Sequence, residues 1–171
     1  MTFESTHSAL THSARGSLRQ KKAEPQVRVI VFSIGELTLA LHIEVVYKII
    51  SNTLVFGSGL SNVGIAHLGE HELTILDLQQ NLYQNRTPGQ AVTADYVIVI
   101  QSSNGEFYGI PVSVAPTIME LPISTIRVLP ESYRNADTLG IATHTAVIEA
   151  EKPLTLFLLD VYQLLHKLMP Q

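Results

Sequence analysis

Val27–Ile34 sets β-branched and aromatic residues on alternating positions and predicts a strand. Gly35-Glu36 follows as a two-residue turn with glycine first, which suits a type II′ hairpin, and Leu37–Leu41 is the return strand. The period then changes. Ile43, Val46 and Ile50 fall at i, i+3 and i+7 with Val45 and Ile49 beside them, which predicts a short amphipathic helix over Ile43–Ile50. Ser51–Asn62 reads as a Gly/Ser loop. Val63–Leu68 and Glu72–Leu76 predict a second hairpin across Gly69-Glu70-His71. A helix then begins at Asp77 and runs to Tyr83, with Gln80 three residues on in the spacing of a capping box.

The second half repeats this pattern. Gly64–Asp77 (GIAHLGEHELTILD) is matched by Gly140–Asp160 (GIATHTAVIEAEKPLTLFLLD). Each opens Gly-Ile-Ala, crosses a polar turn and runs through an apolar strand into an aspartate that starts a helix. Upstream, Val27–Leu41 is matched by Asp95–Ile110, with strands at Tyr96–Gln101 and Phe107–Val112 around an Asn104-Gly105 turn. Val114–Leu121 stands where the first half has its short helix, although Pro116 favours a turn and an irregular segment. Pro122–Leu139 is a connection with two prolines, and Leu139–His144 and Leu154–Leu159 are the last strands. Asp160, with Gln163 three residues on, caps a C-terminal helix over Val161–Met169. A doubled β unit implies two similar small barrels or sheets. The expected boundaries are a first lobe over residues 27–83, a linker over 84–94 and a second lobe over 95–168.

Composition narrows the function. Of 171 residues, 46% are hydrophobic and 15% charged, so apolar groups are available at partner sites. Cysteine is absent, which excludes disulfides, thiolate zinc sites and cysteine nucleophiles and fits a reducing cytoplasm. The first 25 residues carry Arg15, Arg19, Lys21 and Lys22 against Glu4 and Glu24, whereas the rest carry seven basic and thirteen acidic residues. An acidic body argues against a nucleic-acid surface. Residues 1–26 are rich in Ser, Thr and His and read as a disordered tail. They lack the apolar helical face of a transit peptide and the apolar core of a secretory signal. Apolar runs such as Leu156–Leu159 are too short to cross a bilayer.

Candidate chemistry is sparse. His67-Leu68-Gly69-Glu70-His71 fits the H-x-x-E-H pattern of inverted zinc peptidases. That chemistry needs both histidines one turn apart on a helix, and here the pattern straddles a hairpin turn. Asp77 and Asp160 could be taken as an acid–base pair, but each sits at a strand-to-helix junction that needs an N-cap. Gly57-Ser58-Gly59 lacks the helix and lysine of a phosphate loop, and no G-x-S-x-G elbow occurs. His7, His12, His42, His144 and His166 have no partner spacing. The residues offer no catalytic set, no metal site and no cofactor site. A small zinc hydrolase at His67 and His71, and a barrel module binding a small ligand or an effector such as a response regulator, stand as alternatives to an adaptor.

Gly64–Leu78 (GIAHLGEHELTILDL) resembles the central signature of the CheW-like coupling proteins of bacterial chemosensory systems, which reads close to GVINLRGTIVPVIDL. Gly64, Leu68, Asp77 and Leu78 are identical over fifteen gap-free positions. Val29–Ile50 resembles that family's first hairpin and connecting helix, Tyr96–Pro122 the start of its second lobe, and Leu154–Leu165 its last strand and helix. The resemblance spans about Val27 to Leu168. Four features depart from it. The family's frequent arginine before the hairpin glycine falls on Gly69, and that glycine on Glu70. A frequent glutamate of the first helix falls on Lys48, and the usual prolines before the signature are replaced by Gly57, Ser58 and Gly59.

The resemblance implies a mainly β fold of two small five-stranded barrels packed side by side, with short connecting helices and a C-terminal helix. It implies a non-enzymatic adaptor in the cytoplasm, peripheral to membrane receptor arrays. The expected partners are the regulatory domain of a CheA-type histidine kinase and the cytoplasmic tip of a methyl-accepting receptor. The departures point to a specialised pathway, such as pilus motility or phototaxis. On this reading Val45, Val46 and Ile49, with Ile65 and Leu68, form an apolar patch for partners, and Lys48, His67 and Glu70 form a polar rim.

Overall fold

The computed structural model describes residues 22–57, 63–84, 92–134, 136, 138 and 140–169. Residues 1–21 of the expected tail, 58–62 of the expected loop, 85–91 of the expected linker, and Leu139 lie outside them. The strands are β1 (Gln26–Ile34), β2 (Leu37–His42), β3 (Val46–Gly57), β4 (Val63–Leu68), β5 (His71–Leu76), β6 (Val92–Gln101), β7 (Phe107–Val112), β8 (Thr117–Pro122), β9 (Ile126–Val128), β10 (Ala142–Ile148) and β11 (Leu154–Leu159). Helices α1 (Leu78–Tyr83), α2 (Glu131–Arg134) and α3 (Val161–Leu168) are short, and 3-10 turns occupy Ile43–Val45 and Ile123–Thr125.

The strands form two bodies. One is a closed five-stranded barrel in the order β3-β4-β5-β7-β6. The other is a six-stranded sheet in the order β8-β1-β2-β11-β10-β9. Its two edge strands, β8 and β9, are separated in the chain only by the turn at Ile123–Thr125. Residues 117–128 thus act as one broken strand, and this sheet is the counterpart of the five-stranded barrel.

The division between the bodies is not the one the duplication suggests. The first-half hairpin β1–β2 lies with the second-half hairpin β10–β11, joined through the parallel pair β2·β11. The first-half hairpin β4–β5 lies with the second-half hairpin β6–β7, joined through the parallel pair β5·β7. The expected lobes at 27–83 and 95–168 are therefore corrected: each barrel takes one hairpin from each half. Sequence similarity marks the repeat, whereas parallel pairing, which needs a long crossover, decides which hairpins share a barrel. Val92–Ala94, expected as linker, belongs to β6.

The expected helix at Ile43–Ile50 is also corrected, to one 3-10 turn followed by strand β3. The register explains the misleading period. Val46 pairs with Ile100, Lys48 with Val99 and Ile49 with Ile98, so Tyr47 is an inserted bulge residue. A bulge puts Val46 and Ile49, three apart, on one face, as a helix would. Thr117–Pro122, in the region compared with that helix, is strand β8. The second hairpin turn is shorter than expected, since His71 already belongs to β5. The last residues of the expected tail are held in place: the Ser124 amide donates to Glu24 Oε1 at 3.0 Å and the Ile123 amide to the Pro25 carbonyl at 3.0 Å.

Three apolar clusters hold the fold. Val29, Val31, Ala40, Leu121, Ala146 and Leu156 fill the six-stranded sheet, and Ala66, Leu73, Ile75, Val97 and Val99 fill the closed barrel. The largest cluster lies between the two, where Ile30, Phe32, Leu39 and Leu41 meet Ile98, Ile100, Ile110 and Val112. Leu76 and Leu78 join from β5 and α1, and Leu164 from α3.

A tyrosine ties the two bodies at one point. Tyr83 Oη donates to the Ile34 carbonyl at 3.2 Å and accepts from the Glu36 amide at 3.1 Å. Gly35 has φ +56°, and a Cβ there would meet the Tyr83 ring at 2.6 Å. Gly35→Ala should thus cost roughly 1–2 kcal/mol from the left-handed backbone, with the ring clash added. Tyr83→Phe, losing both hydrogen bonds, should cost about 1 kcal/mol. Urea midpoints at a common m-value would measure both. The exchanged hairpins carry a larger test. Fragments cut between residues 88 and 89 should each lack β-sheet dichroism alone and recover it when mixed; a half that folds alone would contradict the exchange.

Candidate functional site

The residues singled out from the sequence do not form one patch. Val45 and Val46 are half-buried and pack against the core between the barrels. Leu68 lies on the inner face of β4 and packs against the closed barrel's core. Leu68 and Val46 are thus corrected from partner contacts to supports of the core, while Val45 packs on the core and also lines an open groove. The cause is the strand period: on β4, Gly64 and Ala66 are buried and Ile65 and His67 exposed, which places Leu68 on the inner side.

The exposed remainder splits in two. Lys48 and Ile49 lie near the start of β3, with Lys48 Nζ 5.9 Å from the centre of the Tyr47 ring. Ile65 pairs with Phe56, seven positions along β3 from Ile49, which at 3.3 Å per residue is roughly 23 Å. Ile65 and His67 face outward from β4, and Glu70 is exposed in the turn beyond. Gly69 there has φ +63°, a backbone glycine adopts without strain.

His67 pairs with Glu72, and His71 with Leu68. Directly paired residues share a face, so the two histidines occupy opposite faces of the hairpin and cannot grip one ion. Among the described residues no three His, Asp or Glu side chains gather as a metal site. Asp77 accepts from the Gln80 amide at 3.0 Å and Asp160 from the Gln163 amide at 2.8 Å, so each carboxylate caps a helix.

Strand pairing reveals apolar residues absent from the sequence-based set. Ile118 on β8 pairs with Ile30, and Ile49 with Ile98. Ile30 and Ile98 are both buried between the barrels. Their partners lie on the same sheet faces but reach solvent, Ile118 at 65% and Ile49 at 39% exposure. Val114, 66% exposed, lines a concavity of about 550 Å³ with Ser51, Asp95, Tyr96, Ser113 and Ala115. The faces that bind the barrels to each other thus continue beyond the core as an open apolar rim. The signal for Ile118 was its alternation with the inward Met119 and Leu121, which reading the segment as a helix counterpart concealed.

A family model of the CheW-like domain matches residues 28–169. The chain belongs to the CheW-like family. Among solved structures, this CheW-like chain is similar to the scaffolding protein TtCheW from Thermoanaerobacter tengcongensis, at a TM-score of 0.64 and 15% identity, covering 84% of this chain and 90% of that one. A comparison with curated proteins finds no match. The shared fold is the pair of β bodies described above. Among the described residues of this CheW-like chain no helix is long and apolar enough to cross a membrane.

Two substitutions three residues apart separate core from surface on β4. Leu68→Asp should cost about 2–4 kcal/mol by placing a charge against the barrel core. Ile65→Asp should change stability by no more than about 0.5 kcal/mol. Chemical denaturation checks both, and equal costs would contradict the assigned faces.

Proposed function

We propose that the chain is a non-enzymatic scaffold that couples a chemoreceptor-type sensor to a CheA-type histidine kinase in a chemosensory pathway. The observation that carries this reading is the apolar rim of Ile49, Val114 and Ile118, where faces otherwise devoted to joining the barrels stay open to solvent. A helical hairpin, such as the cytoplasmic tip of a methyl-accepting receptor, can lay an apolar stripe against such a rim. The outward face of β4, with Ile65 and His67 and with Glu70 beyond, is a separate surface suited to the kinase's own CheW-like regulatory domain. Membership of the CheW-like family and the fold shared with a protein described as scaffolding support the reading. Two surfaces on different elements let one chain hold two partners together. The place of action is the cytoplasmic side of receptor arrays, and Lys48 and Gly69, which depart from the family pattern, favour a specialised pathway such as pilus motility or phototaxis.

The test is co-purification with the receptor tip and the kinase regulatory domain from the same operon. Ile49→Asp combined with Ile118→Asp should weaken receptor-tip binding at least about tenfold and leave kinase binding intact. Ile65→Asp should do the reverse. Capture of a response regulator, with neither kinase nor receptor retained, would replace the coupling reading with an effector-binding one.

A further inference from the structure

A second groove opens where Gln101, at the end of β6, leads into the β6–β7 turn, beside the 3-10 turn that precedes β3. Its volume is about 650 Å³, within the range of roughly 300–1,000 Å³ typical of binding sites. Its apolar lining comes from Val45, Tyr108 and three residues of α3 and its end, Val161, Leu165 and Met169. In α3 only Leu164 is fully buried, and Tyr162, on the groove, is 72% exposed. The helix therefore leaves apolar surface uncovered beside a preformed cavity.

The rim has one sign of charge. Glu44 stands exposed on the 3-10 turn, and no Lys or Arg lines the groove. Across from it the β6–β7 turn is held rigid by its own hydrogen bonds. Asn104 Nδ2 donates to Glu106 Oε2 at 2.9 Å, Tyr108 Oη donates to the same oxygen at 2.7 Å, and Ser102 Oγ bonds Asn104 Oδ1. The bonds from Tyr108 and Asn104 hold the Glu106 carboxyl below its usual range. Burial, with Glu106 as the second cause, pushes the Tyr108 hydroxyl up to about 12. Near neutral pH the turn accordingly presents a fixed carboxylate and a neutral phenol. His42 Nδ1 and His166 are the nearby imidazoles: His42 lies 3.7 Å from the Glu44 carboxylate, and His166 stacks on Tyr162.

We propose that this groove docks a short amphipathic helix of a partner protein, with an apolar stripe against α3 and Val45 and with Lys or Arg flanking the stripe. The commitment to a basic helix rests on charge complementarity: Glu44 lines the groove, Glu106 is bonded to its lining residues Asn104 and Tyr108, and no Lys or Arg lines it. None of Ile49, Val114 and Ile118 lines this groove.

The probe is a synthetic 15-residue helix of Leu and Lys with one Leu stripe, compared with its Glu-for-Lys counterpart. Both are titrated into the full-length, isotope-labelled chain. The Lys helix should produce saturable NMR shifts at Val161, Leu165 and Met169 and at the Asn104 amide, and the Glu helix should not. Glu44→Lys should weaken the Lys helix about tenfold or more through like-charge repulsion. Tyr162→Asp, on an exposed residue, should weaken it comparably without unfolding the chain, whereas Ile118→Asp should leave it unchanged. Shifts centred on Ile49 and Ile118, equal shifts from both peptides, unaltered affinity in Glu44→Lys, or no saturable shift would each overturn the proposal.

Discussion

Everything in this molecule hangs on the apolar layer between the two β bodies. Strands β1, β2, β6 and β7 bury side chains on both faces. On β1, Val29 and Val31 fill the six-stranded sheet while Ile30 and Phe32 meet the other body. On β6, Val97 and Val99 fill the closed barrel while Ile98 and Ile100 cross to the first. Neither body would be a finished globule alone, because each would present a wide apolar face to water. Helices α1 and α3 cover the ends of this layer through Leu78 and Leu164 and are held by caps at Asp77 and Asp160.

That layer also explains what was and was not legible in the linear pattern. Hairpins with glycine in the turn were read correctly at Gly35 and Gly105, because the left-handed backbone there selects the residue locally. The two strand-to-helix junctions were equally readable from the spacing of Asp77 to Gln80 and Asp160 to Gln163. Long-range facts were not. The bulge at Tyr47 gave β3 a helical period, and only its pairing with β6 resolves the ambiguity. The repeat showed two units but could not show that their hairpins are exchanged, since nothing local distinguishes a strand's parallel partner. The candidate site suffered most: Leu68 and Ile65 look equivalent in a list of apolar residues, and one alternation of the pleat puts them on opposite faces.

The surface that results suits holding other macromolecules in a particular way. Each strand of the closed barrel already has a neighbour on both sides, which favours partners that engage side-chain faces over added strands. Those faces are spatially separated. Ile49 and the outward residues of β4 lie at different ends of the long strand β3, and the groove beside α3 is lined by neither. A chain with sparse charge and several small apolar openings can bind different partners at different faces.

The exchange of hairpins has a consequence for synthesis. Strand β2 ends at His42, but its parallel neighbour β11 does not begin until Leu154. At roughly 5–20 residues per second the ribosome needs on the order of ten seconds to deliver it. Throughout that interval the β1–β2 hairpin has emerged with both greasy faces and one open edge uncovered. The nascent chain is therefore a natural client for holding chaperones, and fast translation of its second half would shorten the period of exposure.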